Sequence, residues 1–593
     1  MIFIPFKTAA VLGAGIMGTQ IAAHLANAGL EVLLLDLPAH GGNKDAVVEG
    51  AFKKAKKMSP SILFTAETAH RIELGNYHEH FARLSQVDWV IEAVIEQLDI
   101  KQQFMARLEQ VVRADTVIST NTSGLPIAQI AEGRSDDFRR RFLGTHFFNP
   151  PRYLKLLELI PTTATDPTIM RRMEWFSRRY LGKGVVIAKD TPNFIANRIG
   201  LFATFLGLHA LTDDGYSIEE VDTLTGTLVG RPKSATFRTA DLVGLDTLLH
   251  VAKNIYPVIP HDEQREMFKL PELITTLVET GSRGAKAGQG FYKKVGKEIL
   301  SVNPKTFAYE CPKKNDLPGL DTVAALPELV ERLRMLYQLS GRAGEFFRQT
   351  TLALLSYSAC RLPEIARSPV DVDRAMRWGF GWQLGPFELW DAIGFHKVLY
   401  DMQARNLRVP EWIQEMAATG EGHFYRSQHG VPSSLLMAES VLGPMGEQVV
   451  EQPSDEIHLP LLKTANHQLW ENPEAALFDM GEGVVVYEFR SKGNTLSTTV
   501  VDGLQTVLDM VSQSDQYRGL VIGNNSEHFC GGANLVEMGT AAQTGNWQLI
   551  ADLLVKFQKL LQRLRYFHKP VVAAVQGRAL GGGCELVMAC PHV

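Results

Sequence analysis

A chain of 593 residues is too long for one hydrophobic core, and its 45% hydrophobic and 21% charged content excludes a disordered or fibrous class. A formal net charge of −5 removes any general reason to expect nucleic acid or a membrane surface as partner, so a polyanion would have to meet a local basic cluster. The five cysteines (Cys311, Cys360, Cys530, Cys584, Cys590) have neither metal-ligand spacing nor the density of a disulfide framework, and no apolar run is long enough for membrane insertion; the expectation is a reducing, cytoplasmic setting and no metal.

The opening segment MIFIPFKTAAVLGAGIMG is apolar, but it lacks a charged leading region and runs into a strand and a glycine motif, so it reads as fold and not as a signal peptide. From Thr8 to about Lys189 the runs AAVLG, EVLLLD, VDWVIEAV, DTVIST, FLGTHFF, LKLLELI and KGVVIAKD alternate with helical text. That alternation predicts an α/β Rossmann-type domain over residues 1–189, with a mostly parallel, doubly wound sheet. Helix periodicity takes over at Thr191 and closes on GAKAGQGFY, which predicts an all-α domain over 190–292. Its text SIEEVDTLTG…RTADLVGLDTL returns as SPVDVDRAMRWGFG…FELWDAIGFHKV, so that Val221, Asp222, Asp241 and Gly244 correspond to Val372, Asp373, Asp391 and Gly394 once a one-residue gap is allowed. A second helical copy over 341–410 should therefore pack on the first, neither burying its apolar face alone. Residues 293–340 read as a linker and 411–479 as a second linker with some helix. From Gly483 strands return (VVVYEF, GLVIG, VVAAV) in a last α/β region over 480–593.

The first strand ends at Gly13-Ala14-Gly15-Ile16-Met17-Gly18, which opens a helix running to Asn27 and closed by Gly29. GxGxxG alone is a weak signal; its place between strand and helix, with Asp36 ending the next strand, makes it a dinucleotide site. Gly13 permits the tight turn, Gly15 lets the backbone approach the pyrophosphate, and Gly18 permits close helix–strand packing, while the helix N-terminus faces the phosphates. Asp36 suits the ribose hydroxyls and would repel a 2′-phosphate, and Leu-Pro-Ala-His after it offers no Arg, so NAD is expected over NADP.

His146 lies at the carboxyl edge of a strand, and Glu158 follows twelve residues on, inside the apolar run LKLLELI. A carboxylate there is costly to bury unless paired, and a histidine on the neighbouring loop is a natural partner. Such a pair fixes the ring tautomer and leaves the other nitrogen as a base. From these residues alone, a merely structural His–Glu contact is an equal reading.

The ordered motifs GAGIMG, IEAVIEQLDIK, STNTSGL, HFFNP, KDTPNFIANRIG and GxGFY, over roughly residues 7–292, resemble the 3-hydroxyacyl-CoA dehydrogenase family. The repeated helical module resembles that family's C-terminal domain, and its duplication resembles the multifunctional β-oxidation proteins. The resemblance implies NAD-dependent oxidation of (3S)-3-hydroxyacyl-CoA to 3-ketoacyl-CoA. His146 would take the hydroxyl proton, Glu158 would orient His146, and Ser123 and Asn197 would hydrogen-bond the reacting oxygen or the thioester carbonyl. Glu96, Lys101, Asn149 and Lys286 match positions that contact the dinucleotide. An acyl-CoA thioester is then the substrate, and a homodimer or an associated thiolase is compatible with the family. The alternatives are a related NAD-dependent hydroxy-acid dehydrogenase on the same fold and a non-catalytic NAD-binding structural protein; CoA dependence and the presence of His146, Glu158, Ser123 and Asn197 discriminate them.

One departure from the family text stands out. The second repeat keeps GPFELWDAIG, whereas the first reads SATFRTADLVG, with Arg238 in place of the glutamate. The second repeat has no Rossmann partner of its own and is read as a structural module that shapes the acyl channel. Lys53, Lys54, Lys56 and Lys57 form a basic cluster on a helix between Asp45 and Met58; a solvated face is the plain reading, and Lys53 and Lys57 contacting the phosphates of CoA is the sharper one.

Residues 480–593 resemble the start of the crotonase (enoyl-CoA hydratase/isomerase) superfamily through NTLS, RGLVIGN, HFCGGANL and KPVVAAVQGRALGGGCEL. The resemblance implies an oxyanion hole from the Ala533 and Gly582 N–H groups and an acid/base role for Glu585. The second glutamate expected further on is absent from the text, and the domain reads as partial and truncated, with little hydratase activity expected.

Overall fold

A computed structural model describes residues 3–312, 317–427, 433–451, 456–464 and 467–593. They fall into two compact units, Met1–Val450 and Glu451–Val593.

In the first unit the apolar runs become an eight-stranded sheet: β1 (Thr8–Leu12), β2 (Glu31–Asp36), β3 (Ile72–Asn76), β4 (Trp89–Glu92), β5 (Val117–Thr120), β6 (Phe142–Phe147), β7 (Leu156–Pro161) and β8 (Gly184–Ile187), in the order β3-β2-β1-β4-β5-β6-β7-β8. The strands read as near-continuous hydrophobic runs because both faces are covered. Ala9, Val11, Val32 and Leu34 pack with Phe52, Met173 and Phe176 on one face, while Ala10, Leu12, Leu33 and Leu35 join Met105, Leu108 and Phe138 on the other. β3 is a strand that the apolar pattern does not announce: IELGN sits at the sheet edge, where fewer apolar contacts are required. Its neighbours and the rest pair in parallel, except that β6 and β7 are antiparallel. Only residues 148–155 join these two, too few for a crossover helix. That short connection sets His146 directly across from Glu158.

The two helical copies share more than their apolar spacing. Asp222 accepts the N–H groups of Thr236 and Phe237, and Asp373 accepts those of Phe387 and Glu388. Asp241 accepts from Phe291 and Tyr292, and Asp391 from Phe424 and Tyr425. The tyrosine hydroxyls close each set, Tyr292 on Asp222 at 2.7 Å and Tyr425 on Asp373 at 2.6 Å. GEGHFY at 420–425 is thus the structural echo of GQGFY, and the second copy runs past residue 410 into text read as linker. Each copy also continues into a small three-stranded antiparallel sheet, of Tyr292–Val295, Glu298–Val302 and Tyr309–Glu310 in the first and Tyr425–Arg426, Ser440–Gly443 and Gly446–Val449 in the second. The stretch 293–340 further holds the helix Leu329–Gln338, whose Leu333, Leu336 and Tyr337 are buried. Among the described residues neither stretch is a plain linker: Lys293 and Lys294 lie in the strand Tyr292–Val295, while Asn303, Pro304 and Lys305 turn the chain after Glu298–Val302.

The second unit is built on a five-stranded sheet of Gln468–Asn472, Ala475–Asp479, Val484–Phe489, Gly519–Gly523 and Val571–Ala573 in that spatial order. The first three strands pair antiparallel and the last three parallel. Its sheet therefore begins at Gln468, before the expected boundary at 480. Among the described residues no helix is long and apolar enough to cross a membrane.

Candidate active site

The helix α1 (Ile16–Asn27) starts directly after the glycine loop, with Gly15 as its N-cap. Gly13 has φ 102°, and a Cβ there would lie 2.5 Å from the Ala93 carbonyl oxygen; a Cβ on Gly18 would fall 1.7 Å from that of Gly13. Both positions are closed to any side chain. Around Gly15, by contrast, a Cβ would meet nothing within 4 Å, so its lack of a side chain leaves open space in front of the helix N-terminus. Asp36 holds the loop, its Oδ2 accepting the Ala14 N–H at 2.7 Å and its Oδ1 the Leu37 N–H. Ile16, Leu37 and Ile95 are exposed by 69%, 64% and 58% at the carboxyl ends of β1, β2 and β4. Three apolar side chains left in water around such a loop fit the flanks of a flat ligand. Open space, free helix N–H groups, a carboxylate and apolar flanks together suit a dinucleotide.

Glu92 and Lys101 form a fully buried pair at 2.6 Å, with Thr120 donating to the other Glu92 oxygen. Lys101 also reaches Glu96 at 3.3 Å, and Glu96 accepts from the Thr122 hydroxyl and the Ser123 N–H. Lys101 is thus enclosed and acts on Glu96 and the Ser123 loop, whereas direct contact with the dinucleotide was expected of it. Asn149 accepts from Gln20 on α1 at 2.9 Å. Lys286 lies on the turn Ala285–Ala287 and pairs with Asp246 at 2.6 Å.

His146 Nδ1 lies 2.7 Å from Glu158 Oε2, and both side chains are buried. The other carboxylate oxygen accepts the Ile195 and Ala196 N–H groups at 3.1 and 2.8 Å, at the start of the helix Ala196–Thr212. With both oxygens committed, Glu158 cannot rotate away, and the Nδ1–H that it accepts leaves the Nε2 lone pair available. Phe148 and Phe194 flank the imidazole at ring separations of 4.6 and 5.5 Å. Asn197 is partly exposed on the first turn of the same helix, and Ser123 is exposed on the loop after β5. Asn193 and Phe194 take positive φ (62° and 48°) just before that helix, the kind of strained backbone that tends to sit at functional sites. Asn193 Oδ1 would meet a Cβ on Gly124 at 2.8 Å, which ties this turn to the Ser123 loop.

The second copy touches this centre. A Cβ on Gly379 would stand 3.5 Å from both Phe148 and Ala196, and one on Gly200 would strike the Phe380 ring at 2.0 Å. Arg238 is exposed with its guanidinium over Tyr292, whereas its counterpart Glu388 is buried, bonding the Gly385 N–H at 3.0 Å and Arg377 at 2.6 Å. Among the described residues Asp45, Glu79 and His80 come within metal-ligand reach of one another. Lys44 already neutralises Glu79, and His80 Nδ1 accepts the Asn76 N–H.

In the second unit, Ala533 and Gly582 line one cavity of about 60 Å³ together with Leu496, Val501, Met538 and Phe557. Gly582 is the first residue of a helix, so its N–H has no acceptor within that helix. Glu585 is exposed in the first turn of the same helix.

A glycine loop under a helix N-terminus, with a histidine–glutamate pair at the far end of the same sheet, defines an NAD-dependent oxidoreductase of the Rossmann type. Residues 8–191 match the family model for the 3-hydroxyacyl-CoA dehydrogenase NAD binding domain, and residues 194–294 and 346–428 each match that of its C-terminal domain. This chain belongs to the 3-hydroxyacyl-CoA dehydrogenase family. Residues 479–593 match the enoyl-CoA hydratase/isomerase model. Over 602 residues the chain is 40% identical to a "Probable 3-hydroxyacyl-CoA dehydrogenase" of Bacillus subtilis, covering 99% of this chain and 75% of that one. It is 26% identical over 598 residues to a Rickettsia felis protein named as a fatty acid oxidation complex trifunctional enzyme, covering 99% and 77%. The crystal structure of 3-hydroxybutyryl-CoA dehydrogenase from Escherichia coli K12 superposes with a TM-score of 0.53 at 21% identity, covering 70% of this chain and 99% of that one; at that identity the likeness concerns the fold.

Proposed function

We propose that the chain oxidises (3S)-3-hydroxyacyl-CoA to 3-ketoacyl-CoA in fatty-acid β-oxidation, with the buried His146–Glu158 pair as its catalytic base. The observation that carries this reading is the 2.7 Å contact at Nδ1, with Glu158 locked by two backbone N–H groups. NAD, when bound, accepts the hydride from C3. His146 Nε2 takes the proton of the C3 hydroxyl, and the resulting imidazolium is stabilised by Glu158 across the strand pair. Ser123 and Asn197 are assigned to the substrate oxygens. Gly13, Gly15, Gly18, Asp36, Glu96 and Asn149 are assigned to the cofactor, with Lys101 acting through Glu96 and Lys286 from the helical domain. Lys53 and Lys57 are assigned to the CoA phosphates; both are exposed, and no carboxylate is paired with them among the described residues. In the second unit, the Ala533 and Gly582 N–H groups are assigned to a thioester oxyanion, with Glu585 as the acid/base group. Steady-state NADH formation with His146→Gln tests the central assignment. A fall in kcat of roughly 10²–10⁴-fold is expected of a lost general base, and unchanged kcat would refute it.

A further inference from the structure

The segment that fixes Glu158 is gripped at both ends by one helix of the second repeat. This segment, residues 190–197, supplies the Ile195 and Ala196 N–H groups to Glu158, sets Phe194 against the His146 ring and ends on Asn197. Asp190, at its start, accepts the Ile127 and Ala128 N–H groups. Asn193 and Phe194 then take φ 62° and 48°, a region that residues with side chains keep only where their surroundings over-determine it. Those surroundings include the helix Arg342–Ile365 of the second repeat.

Just before the segment, the Lys189 N–H donates to the Ile365 carbonyl at 3.0 Å, and Lys189 Nζ to that of Pro363 at 2.7 Å. Both carbonyls belong to the last turn of that helix, where no donor within the helix reaches them. Just after the segment comes Arg198. Its Nη1 reaches back to the Pro192 carbonyl at 3.3 Å, its Nε donates to the Tyr357 hydroxyl at 2.6 Å, and its Nη2 donates to Asp262 Oδ2 at 2.6 Å. The Tyr357 hydroxyl donates to the same Asp262 oxygen at 2.8 Å. Its ring stacks on Phe202, one turn beyond Arg198, with centroids 3.9 Å apart and planes 5° from parallel.

Arg198, Tyr357 and Asp262 are exposed by only 0%, 1% and 6%, so water cannot readily replace a lost partner. Burial pushes the Tyr357 hydroxyl well above its ordinary pKa; it stays neutral, giving one hydrogen bond while accepting another. Remove that hydroxyl and the Arg198 Nε–H is left unpaired in an enclosed polar network, where such a loss is most costly. Arg198 would then be free to shift, and with it the Pro192 carbonyl and the strained residues that follow.

We infer that Tyr357 is a positioning residue for the oxidation: through Arg198 it holds the 190–197 segment, and so Glu158, in the conformation that orients His146. The second repeat thereby has a part in the chemistry of the first, exerted through hydrogen bonds on one strained segment. The inference rests on the dehydrogenase reading above.

Tyr357→Phe deletes the hydroxyl and keeps the stack. Its kcat for NADH formation from 3-hydroxyhexanoyl-CoA should fall roughly 5- to 30-fold, with KM for the ester and for NAD unchanged. Tyr216→Phe is the matched control: it removes a hydroxyl that donates to the Arg342 carbonyl at 3.1 Å, a bond between the same two repeats at the other end of the same helix, and should keep the parent kcat. In a Glu158→Gln background Tyr357→Phe should add little, because it acts through Glu158. Equal losses in Tyr357→Phe and Tyr216→Phe, a loss confined to KM, or full additivity with Glu158→Gln overturns the proposal. Should Tyr357→Phe fail to fold, Lys189→Met, which removes only the Pro363 bond, must still lower kcat by roughly 2- to 5-fold at constant KM, and a parent kcat there overturns it. Unchanged kcat in a folded Tyr357→Phe protein sinks this proposal and leaves the dehydrogenase reading standing; a parent that oxidises no 3-hydroxyacyl-CoA sinks both.

Discussion

Glu158→Gln changes one atom and reverses one hydrogen bond. In the parent, Glu158 Oε1 accepts two N–H groups, from Ile195 and Ala196, and Oε2 accepts the His146 Nδ1–H. The glutamine amide has one acceptor and two donors, and its NH2 cannot face two backbone N–H groups. Its oxygen must therefore take that side, which turns the NH2 toward His146. Nδ1 becomes the acceptor, the ring proton moves to Nε2, and the nitrogen that should take the substrate proton no longer has a free lone pair. The expected loss is that of a general base, roughly 10²–10⁴-fold in kcat, with KM changed little because no substrate contact is removed. Loss of charge-assisted bonds at a buried site costs about 1–3 kcal/mol of stability, so folding is to be checked by thermal denaturation beside the kinetics. Steady-state NADH formation from 3-hydroxyhexanoyl-CoA gives both constants. A folded Glu158→Gln protein with kcat within about threefold of the parent would refute the pairing argument, for this is far below the effect of a general base.

Further outcomes follow from the same geometry. Gly15→Ala should leave Tm unchanged, because its Cβ meets nothing within 4 Å, yet weaken NAD binding, whereas Gly18→Ala should lower Tm or prevent folding, its Cβ being 1.7 Å from the Gly13 oxygen. Thermal melts and NAD titrations separate the two, and equal effects on Tm would contradict the loop's division of labour. Burial raises the Asp391 carboxyl to about 7, with the Phe424 and Tyr425 N–H groups opposing the shift. An unfolded Asp releases its proton near 4, so the native state binds the extra proton between about pH 4 and 7, and this group's contribution to stability is present at the acid end and lost as pH rises through 7. Between about pH 5 and 7 the parent should lose roughly 2–3 kcal/mol that Asp391→Asn does not lose, measured by urea unfolding; parallel pH profiles would contradict this. Charge reversal at Lys53 and Lys57 should raise KM for the CoA ester and lower its sensitivity to salt, and an unchanged KM would return the cluster to a plain solvated face.

The parallel sheet and the glycine loop were legible because each strand is a near-continuous apolar run and each glycine has a local steric reason. β3 escaped because IELGN, at the sheet edge, carries Glu, Gly and Asn where the pattern needs apolar residues. The closing Phe-Tyr of the second repeat escaped for another reason: its role lies in hydrogen bonds from Phe424 and Tyr425 to Asp391, more than thirty residues away, which no periodicity encodes. At the site, the His146–Glu158 pairing followed from the cost of burying a carboxylate, but the Ile195 and Ala196 N–H groups that fix Glu158 belong to a backbone, and no side-chain motif reports them. Likewise Lys101 matches a dinucleotide-contacting position in sequence, and nothing in its local text reports that the fold encloses it with Glu92.

The most direct test of the central claim is NADH production from the (3S) and (3R) forms of 3-hydroxyhexanoyl-CoA, with NAD and with NADP, by the parent and by His146→Gln. Turnover of the (3S) ester with NAD, little with NADP, and near-complete loss in the variant are expected. Undiminished turnover in His146→Gln, or a preference for NADP, would contradict it.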